Sequence, residues 1–324
     1  MEHTGPWAPW VFLLLFIAAS FLMIWRLEAM SDDGFEGTVL GTLVMPYCSG
    51  IGNLVFAFLL GMKRGPGEAV VVNCFVNNVT NMTLLIGLPA VIWGLNVTGK
   101  SGAKKGGGKA SGKKVQELNR LSLLLTLTAV LFFTGATWAL SRDGKLDFGD
   151  GLVLVGLFLF WQCFHVFEVL KTNVRQGRGF SWMLPVDLAL LAVGAVGIFV
   201  STDWLVTWSS GNPYVSQNLG WLSGWLMVLP NALLAFYYGW RGKPEVIYSS
   251  QVGDGHICIP LCLGIYALYH TLETPPLFEI GVMIIGVATA LHIVFVGFFG
   301  SLPRMVGLAL VGAYVVFLVK GLKG

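Results

Sequence analysis

Ten apolar stretches, at 8–25, 37–61, 68–94, 121–141, 151–171, 183–207, 217–240, 246–270, 275–299 and 302–320, govern what this chain of 324 residues can become. A transmembrane helix needs roughly 20 mostly apolar residues, and each stretch supplies a run of that order. The spacing therefore predicts an all-α polytopic membrane protein of ten transmembrane helices, with almost no chain left for a soluble domain. Composition points the same way, with 55% hydrophobic and 11% charged residues, well outside the usage of soluble domains. The stretch at 183–207 contains Asp203 and runs into the polar segment Ser209 to Gln217, which makes its end the hardest to place. Met1 to Pro6 lacks a cationic leader, so the first stretch reads as a retained helix and not as a signal peptide. All five cysteines, Cys48, Cys74, Cys163, Cys258 and Cys262, fall inside predicted spans, and no disulfide framework is implied.

The one long hydrophilic segment, Asn96 to Arg120, reads NVTGKSGAKKGGGKASGKKVQELNR. Its Gly, Ser and Lys content predicts a flexible basic linker, too polar to bury and too rich in glycine to hold a helix. Threading the spans with this linker inside places fourteen of the twenty Lys and Arg residues on the cytoplasmic side. By the positive-inside rule both termini then lie outside. The short loops suit a prokaryotic inner membrane. Tryptophans near span ends, among them Trp7, Trp10, Trp93, Trp204, Trp208 and Trp240, read as an interfacial belt.

The chain also repeats itself. GNLVFAFLLGMKRGPGE at Gly52 to Glu68 is echoed by PNALLAFYYGWRGKPE at Pro230 to Glu245, and from Glu68 and Glu245 onward the two copies run at a constant offset of 177. Five spans separate the copies. An odd number inverts the second relative to the first, which predicts two inverted five-helix repeats, 1–172 and 173–324. That plan is common among secondary transporters, whose substrate sites lie near the midplane where the repeats meet. In the first copy Asn73, Asn77 and Asn81 stack on one helix face by their i, i+4, i+8 spacing; the same positions in the second copy are Ser250, Asp254 and Cys258. An unpaired amide loses on the order of 2–7 kcal/mol in hydrocarbon, so these side chains, with Asn53 and Asn231, should face the protein interior. A single buried asparagine would read as glue between helices; a stripe written into both halves reads as an internal cavity or ion path.

At these residues the chain resembles the calcium/cation antiporter superfamily, the membrane fold of sodium/calcium exchangers. That family carries two α-repeats, each with a motif resembling Gly-Thr-Ser-x-Pro-Glu on one helix and Gly-Asn-x-x-Gly-Ser-Asn-x-x-Asn/Asp on the next, joined by a turn rich in glycine and charge. Here GIGN (Gly50 to Asn53) and VLPN (Val228 to Asn231) stand at the first motif, NCFVNNVTN (Asn73 to Asn81) and SQVGDGHIC (Ser250 to Cys258) at the second. The resemblance implies alternating access of spans 2, 3, 7 and 8 around a midplane cation site, and a secondary-active cation antiporter. Family members coordinate calcium with a glutamate from each first motif, and both are asparagine here, Asn53 and Asn231. Asp254 replaces a serine and is the one acidic residue of the four motif helices away from their ends.

Calcium takes about 6–8 oxygen ligands and gains affinity with carboxylate count; one carboxylate leaves a divalent ion uncompensated. Asn53, Asn77, Asn81, Asn231 and Ser250 as neutral ligands with Asp254 as charge partner suit a monovalent ion, and a desolvated carboxylate admits competition from protons. The substrate is expected to be Na+, Ca2+ or H+, with calcium only weak or partly hydrated. No cofactor is expected, and the partners are inorganic cations and the lipid bilayer, not nucleic acid. The alternative reading of the lost glutamates is a transport-inactive scaffold or sensor on the same fold. His256 could supply a second ligand if Gly253 and Gly255 break the helix, and His165 with Glu168, at i, i+3, could share a proton or a metal. Asp187, His270 and His292 show no partner in sequence. The sequons at Asn78, Asn81 and Asn96 lie within a span or on the cytoplasmic side. With no Walker loop, dinucleotide fold, nucleophile elbow or zinc spacing, nothing here points to an enzyme.

Overall fold

The computed structural model describes Gly5, residues 7–32, 39–97, 109–173 and 183–322. Among the described residues ten long helices follow one another: α1 (Ala8–Asp32), α2 (Val39–Met62), α3 (Gly67–Trp93), α4 (Lys109–Leu140), α5 (Phe148–Asn173), α6 (Leu184–Ser210), α7 (Leu219–Trp240), α8 (Pro244–Tyr269), α9 (Leu277–Phe299) and α10 (Arg304–Gly321). Nine carry an apolar run long enough to cross a bilayer among the described residues, and α2 carries the shorter one at Gly50–Met62. One expectation fails at the linker: α4 already begins at Lys109, so the second half of the basic segment is helical. The glycines concentrate before Lys109, and KASGKKVQELNR beyond it has one glycine among good helix formers.

Polarity decides which helices sit in the middle. In α3, 94% of the apolar window is buried inside the protein and in α8 78%, against 22–28% in α1, α5, α6 and α10. The two helices that carry the Asn stripe and Asp254 cannot face lipid, and the others wrap them, turning side chains such as Leu14, Phe160, Val193, Met283 and Val315 outward.

The helix pairs are matched between the halves. α3 packs on α7 as α2 packs on α8; α3 meets α10 as α8 meets α5; α3 meets α9 as α8 meets α4; α1 lies against α6. The loops follow the same rule. β1 (Leu95–Asn96), after α3, pairs antiparallel with β4 (Ser301–Leu302), before α10, and β2 (Lys145–Leu146), before α5, pairs with β3 (Leu272–Glu273), after α8. Close backbone approach is also duplicated. A methyl built on Gly87 would lie 2.8 Å from the carbonyl oxygen of Gly307, and one on Gly264 3.2 Å from that of Gly151. Gly87→Ala is therefore expected to cost about 1–3 kcal/mol through overpacking of α3 on α10, read as a lower melting temperature in detergent.

The turns between α2 and α3 and between α7 and α8 differ by one residue, and the backbone shows where. The left-handed residues are Arg64 (φ 55°) and Gly242 (φ 66°), which sets the offset ahead of the turn at 178 and makes Asn53 the equivalent of Asn231.

Among the described residues two ion pairs fasten α6, one near each end. Asp187 takes Arg26 of α1 at 3.1 Å, and Asp203 takes Lys63, beyond the end of α2. Asp187, partnerless in sequence, is thus a helix-to-helix contact in the fold. The five cysteines are free.

Candidate functional site

The centre of the molecule is organised by two irregular helices. In α3 the α-helix ends at Val79 and passes through a π-turn, Thr80–Leu84, before resuming at Leu85. The hydroxyls of Thr80 and Thr83 bond back to Val76 O and Val79 O, an arrangement that bends helices. In α8 the equivalent place holds Pro260, which has no N–H to give, and Ile259 there is extended (φ −128°, ψ 110°). Both helices are irregular within a turn and a half of the polar stripe, as expected where irregular backbone lines a site inside protein and not lipid.

Asp254, on α8, is fully buried. Its Oδ2 accepts from Asn81 Nδ2 of α3 and from Asn231 Nδ2 of α7, each at 3.0 Å. Asn81 Nδ2 also donates to Asn77 Oδ1 at 2.7 Å. Asn77, Asn81, Asn231 and Asp254 thus form one hydrogen-bonded cluster across three helices. Asn77 and Asp254 are repeat equivalents, joined through Asn81. Ser250 stands at the margin: it is half-buried, donates to Ile247 O at 3.1 Å and accepts from Gln251 Nε2 at 3.0 Å. Asn53 is buried on α2, which packs on the broken stretch of α8, but among the described residues no hydrogen bond joins it to Asp254.

Within the cluster Asp254 Oδ1 and Asn81 Oδ1 are buried without a partner, and so is the donor Asn77 Nδ2; elsewhere in the interior the amide oxygens of Asn53, Asn73 and Asn78 and Oε1 of Gln251 are unpartnered too. Unpaired buried acceptors are costly, and their common complement is a cation. They are hard oxygen donors with a single carboxylate among them, the chemistry of alkali and alkaline-earth ions and not of soft metals. Among the described residues no group of three His, Cys, Asp or Glu side chains is set to hold a metal ion.

Gln251 is the residue that sequence reasoning passed over. Fully buried, it donates to the backbone oxygen of Asn231 at 3.2 Å and so ties α8 to α7 beside Asp254. Its i, i+3 spacing from Asp254 was the available signal. Asn73 serves α3–α7 packing, donating to Ser223 Oγ at 3.0 Å and reaching Met227 Sδ at 3.3 Å. Asn78 donates to the carbonyl oxygen of Gly255, its own repeat equivalent, at 3.4 Å. Asn78 and Asn81 are both buried, so neither sequon is available to a glycan in this fold.

His256 does not join the Asp254 cluster. Its ring stacks on Trp161 of α5 at 5.7 Å and meets Phe133 of α4 edge-on at 5.8 Å, with Nδ1 3.4 Å from Gly253 O and Nε2 buried without a partner. The i, i+2 spacing put it on the far side of α8 from Asp254. His165 lies edge-on to the same Trp161 at 4.6 Å; the side chain of Glu168, its suggested companion, lies outside the described residues. His292, without a partner in sequence, is bonded to both α3 and α8.

Comparison with known proteins bears on the family and the fold. The profile of the family described as sodium/calcium exchanger protein matches residues 5–167, just over half of the chain. No curated protein matches the sequence. Among solved structures, the sodium-calcium exchanger NCX_Mj soaked with 2.5 mM Na+ and 10 mM Sr2+ superposes with a TM-score of 0.66 at 16% identity, over 95% of each chain. The same exchanger at 1 mM Sr2+ gives 0.64 at 16% identity, over 98% of this chain and 99% of that one. With zero Na+ and Ca2+ it gives 0.59 at 17% identity, over 95% and 99%. At such identities the likeness is one of fold, and it spans the whole membrane region. Its helices, its buried polar centre and the matched profile together make this integral membrane chain a member of the sodium/calcium exchanger family, a family of transporters and not of enzymes.

Proposed function

We propose that the protein is a secondary-active cation antiporter that binds its substrate at Asp254 and works by alternating access of two inverted halves, 1–172 and 173–324. The observation that carries this reading is the orphaned Asp254 Oδ1, fully buried on a carboxylate whose other oxygen is held by the amides of Asn81 and Asn231. Asp254 supplies the one negative charge; Asn53, Asn77, Asn81 and Asn231 supply neutral oxygens; Gln251 joins them and Ser250 stands at the edge. A single carboxylate balances a monovalent ion, Na+ in the first instance, with a proton or a second cation as the exchanged species. Ca2+, which NCX_Mj is named for exchanging, would bind here only weakly or partly hydrated, because the two family glutamates are Asn53 and Asn231. The distribution of Lys and Arg favours both termini outside, and the short loops favour a prokaryotic inner membrane.

The test is the melting temperature of the detergent-purified protein in NaCl, KCl and CaCl2 at constant ionic strength. A cation that binds only the folded state at 100 times its Kd adds about 2.7 kcal/mol, so Na+ should raise the melting temperature steeply with concentration, and more than Ca2+. If none of the three salts shifts it, the transport reading gives way to a scaffold or sensor that keeps the exchanger fold.

A further inference from the structure

His292 sits on α9 with no accessible surface, and neither the ligand set nor the family motifs include it. Its Nε2 lies 2.8 Å from the carbonyl oxygen of Met82 in the π-turn of α3, and its Nδ1 3.3 Å from the hydroxyl of Tyr248 on α8. The Tyr248 and His292 rings meet edge-on at 5.5 Å, and Met82 and Tyr248 are fully buried too. A carbonyl only accepts, so Nε2 carries the ring proton, and in the neutral ring Nδ1 accepts from the Tyr248 hydroxyl. Tyr248 thereby fixes the tautomer that His292 needs.

Where these bonds land gives them their meaning. Met82 follows Asn81, the residue whose amide bridges Asn77 and Asp254. A π-turn spreads the backbone ladder of a helix and is frequently found at functional sites; here a side chain from a third helix donates into it. Tyr248 precedes Asp254 on α8 by six residues. His292 therefore ties the two central helices together at a second point, beside the Asn81–Asp254 contact and independent of it.

We propose that His292, oriented by Tyr248, is a positioning residue for the cation site: it holds the π-turn of α3 so that Asn81 presents its amide to Asp254, and so sets the affinity of the site without touching the ion. The inference rests on the reading of Asp254 as the cation site. Partners that orient metal ligands typically change affinity about 10–100-fold when removed, and His292→Leu should weaken cation half-saturation by about tenfold or more on that basis. Maximal flux at saturating cation should hold within about twofold. His292→Gln, which keeps a neutral N–H donor, should recover most of the affinity.

The experiment measures cation half-saturation, by melting temperature and by flux in proteoliposomes, for the wild type, His292→Leu, His292→Gln and Tyr248→Phe, and repeats His292→Leu on an Asn81→Ala background. If His292 acts through Asn81, its loss adds nothing once Asn81 is gone. An equal loss on both backgrounds, or wild-type affinity in His292→Leu, overturns the proposal. Should His292→Leu not fold, Tyr248→Phe decides, since it deletes one oxygen and keeps the ring; unchanged affinity there is equally fatal. A wild type with no cation response sinks the Asp254 reading, and this proposal with it, whereas a responsive wild type beside an unaffected His292→Leu sinks only this one.

Discussion

Asp254→Asn is expected to abolish coupled cation flux and the cation-dependent rise in melting temperature, while the unliganded protein stays as stable as the wild type or gains stability. The asymmetry follows from what the substitution removes. Size and shape are kept, and an amide oxygen can still accept from Asn81 and Asn231, which now share Oδ2 at 3.0 Å. Only the charge is lost, and a fully buried carboxylate is expensive to keep there without its ion. The stabilisation that the cation supplies, about 2.7 kcal/mol at 100 times Kd, disappears with the charge that attracts it. Flux in proteoliposomes and melting curves with and without NaCl read the two halves of this expectation separately. Flux at the wild-type rate in Asp254→Asn would remove Asp254 from the mechanism.

A second carboxylate should redirect the site toward divalent ions. In Asn231→Glu the donor to Asp254 Oδ2 is lost and a like charge takes its place, so without a cation the variant should be less stable by roughly 2–4 kcal/mol. Added Ca2+ finds two carboxylates beside the neighbouring amides of Asn77 and Asn81, and affinity for Ca2+ rises with ligand charge. The expected result is a strong CaCl2-dependent recovery of melting temperature and a preference for Ca2+ over Na+ shifted by at least about tenfold. A variant that loses stability and regains none in CaCl2 would show that position 231 does not face the ion.

Much of this was legible before any coordinates. The apolar runs marked the helices because a bilayer forces length and polarity together, and the offset of 177 marked Asn77 and Asp254 as equivalents. That the stripe turns inward followed from the cost of an amide in lipid, and α3 and α8 are indeed the most enclosed helices. What stayed hidden was contact at long range. Nothing local to His292 announces Met82, 210 residues earlier, or Tyr248, 44 residues earlier. Asp187 likewise meets Arg26 across 161 residues. The helical start of α4 at Lys109 was obscured by averaging composition over a segment whose glycines lie mostly in its first half. Asn53 was found as the partner of Asn231 by pattern, yet only the left-handed Arg64 and Gly242 fixed the register between them.

The unequal treatment of the two central helices bears on the resting state of such a carrier. Were the halves identical, the inward-facing and outward-facing forms would be exchanged by the symmetry axis and would have equal free energy. Here α3 bends through a continuous π-turn while α8 is interrupted at Ile259 and Pro260, and the equivalents Asn77 and Asp254, Asn81 and Cys258 differ in chemistry. Each such difference lifts the degeneracy, and a bias of 1.4 kcal/mol is already about tenfold in population. On the proposed alternating-access reading, the side of the membrane on which this protein waits is encoded where its repeats disagree.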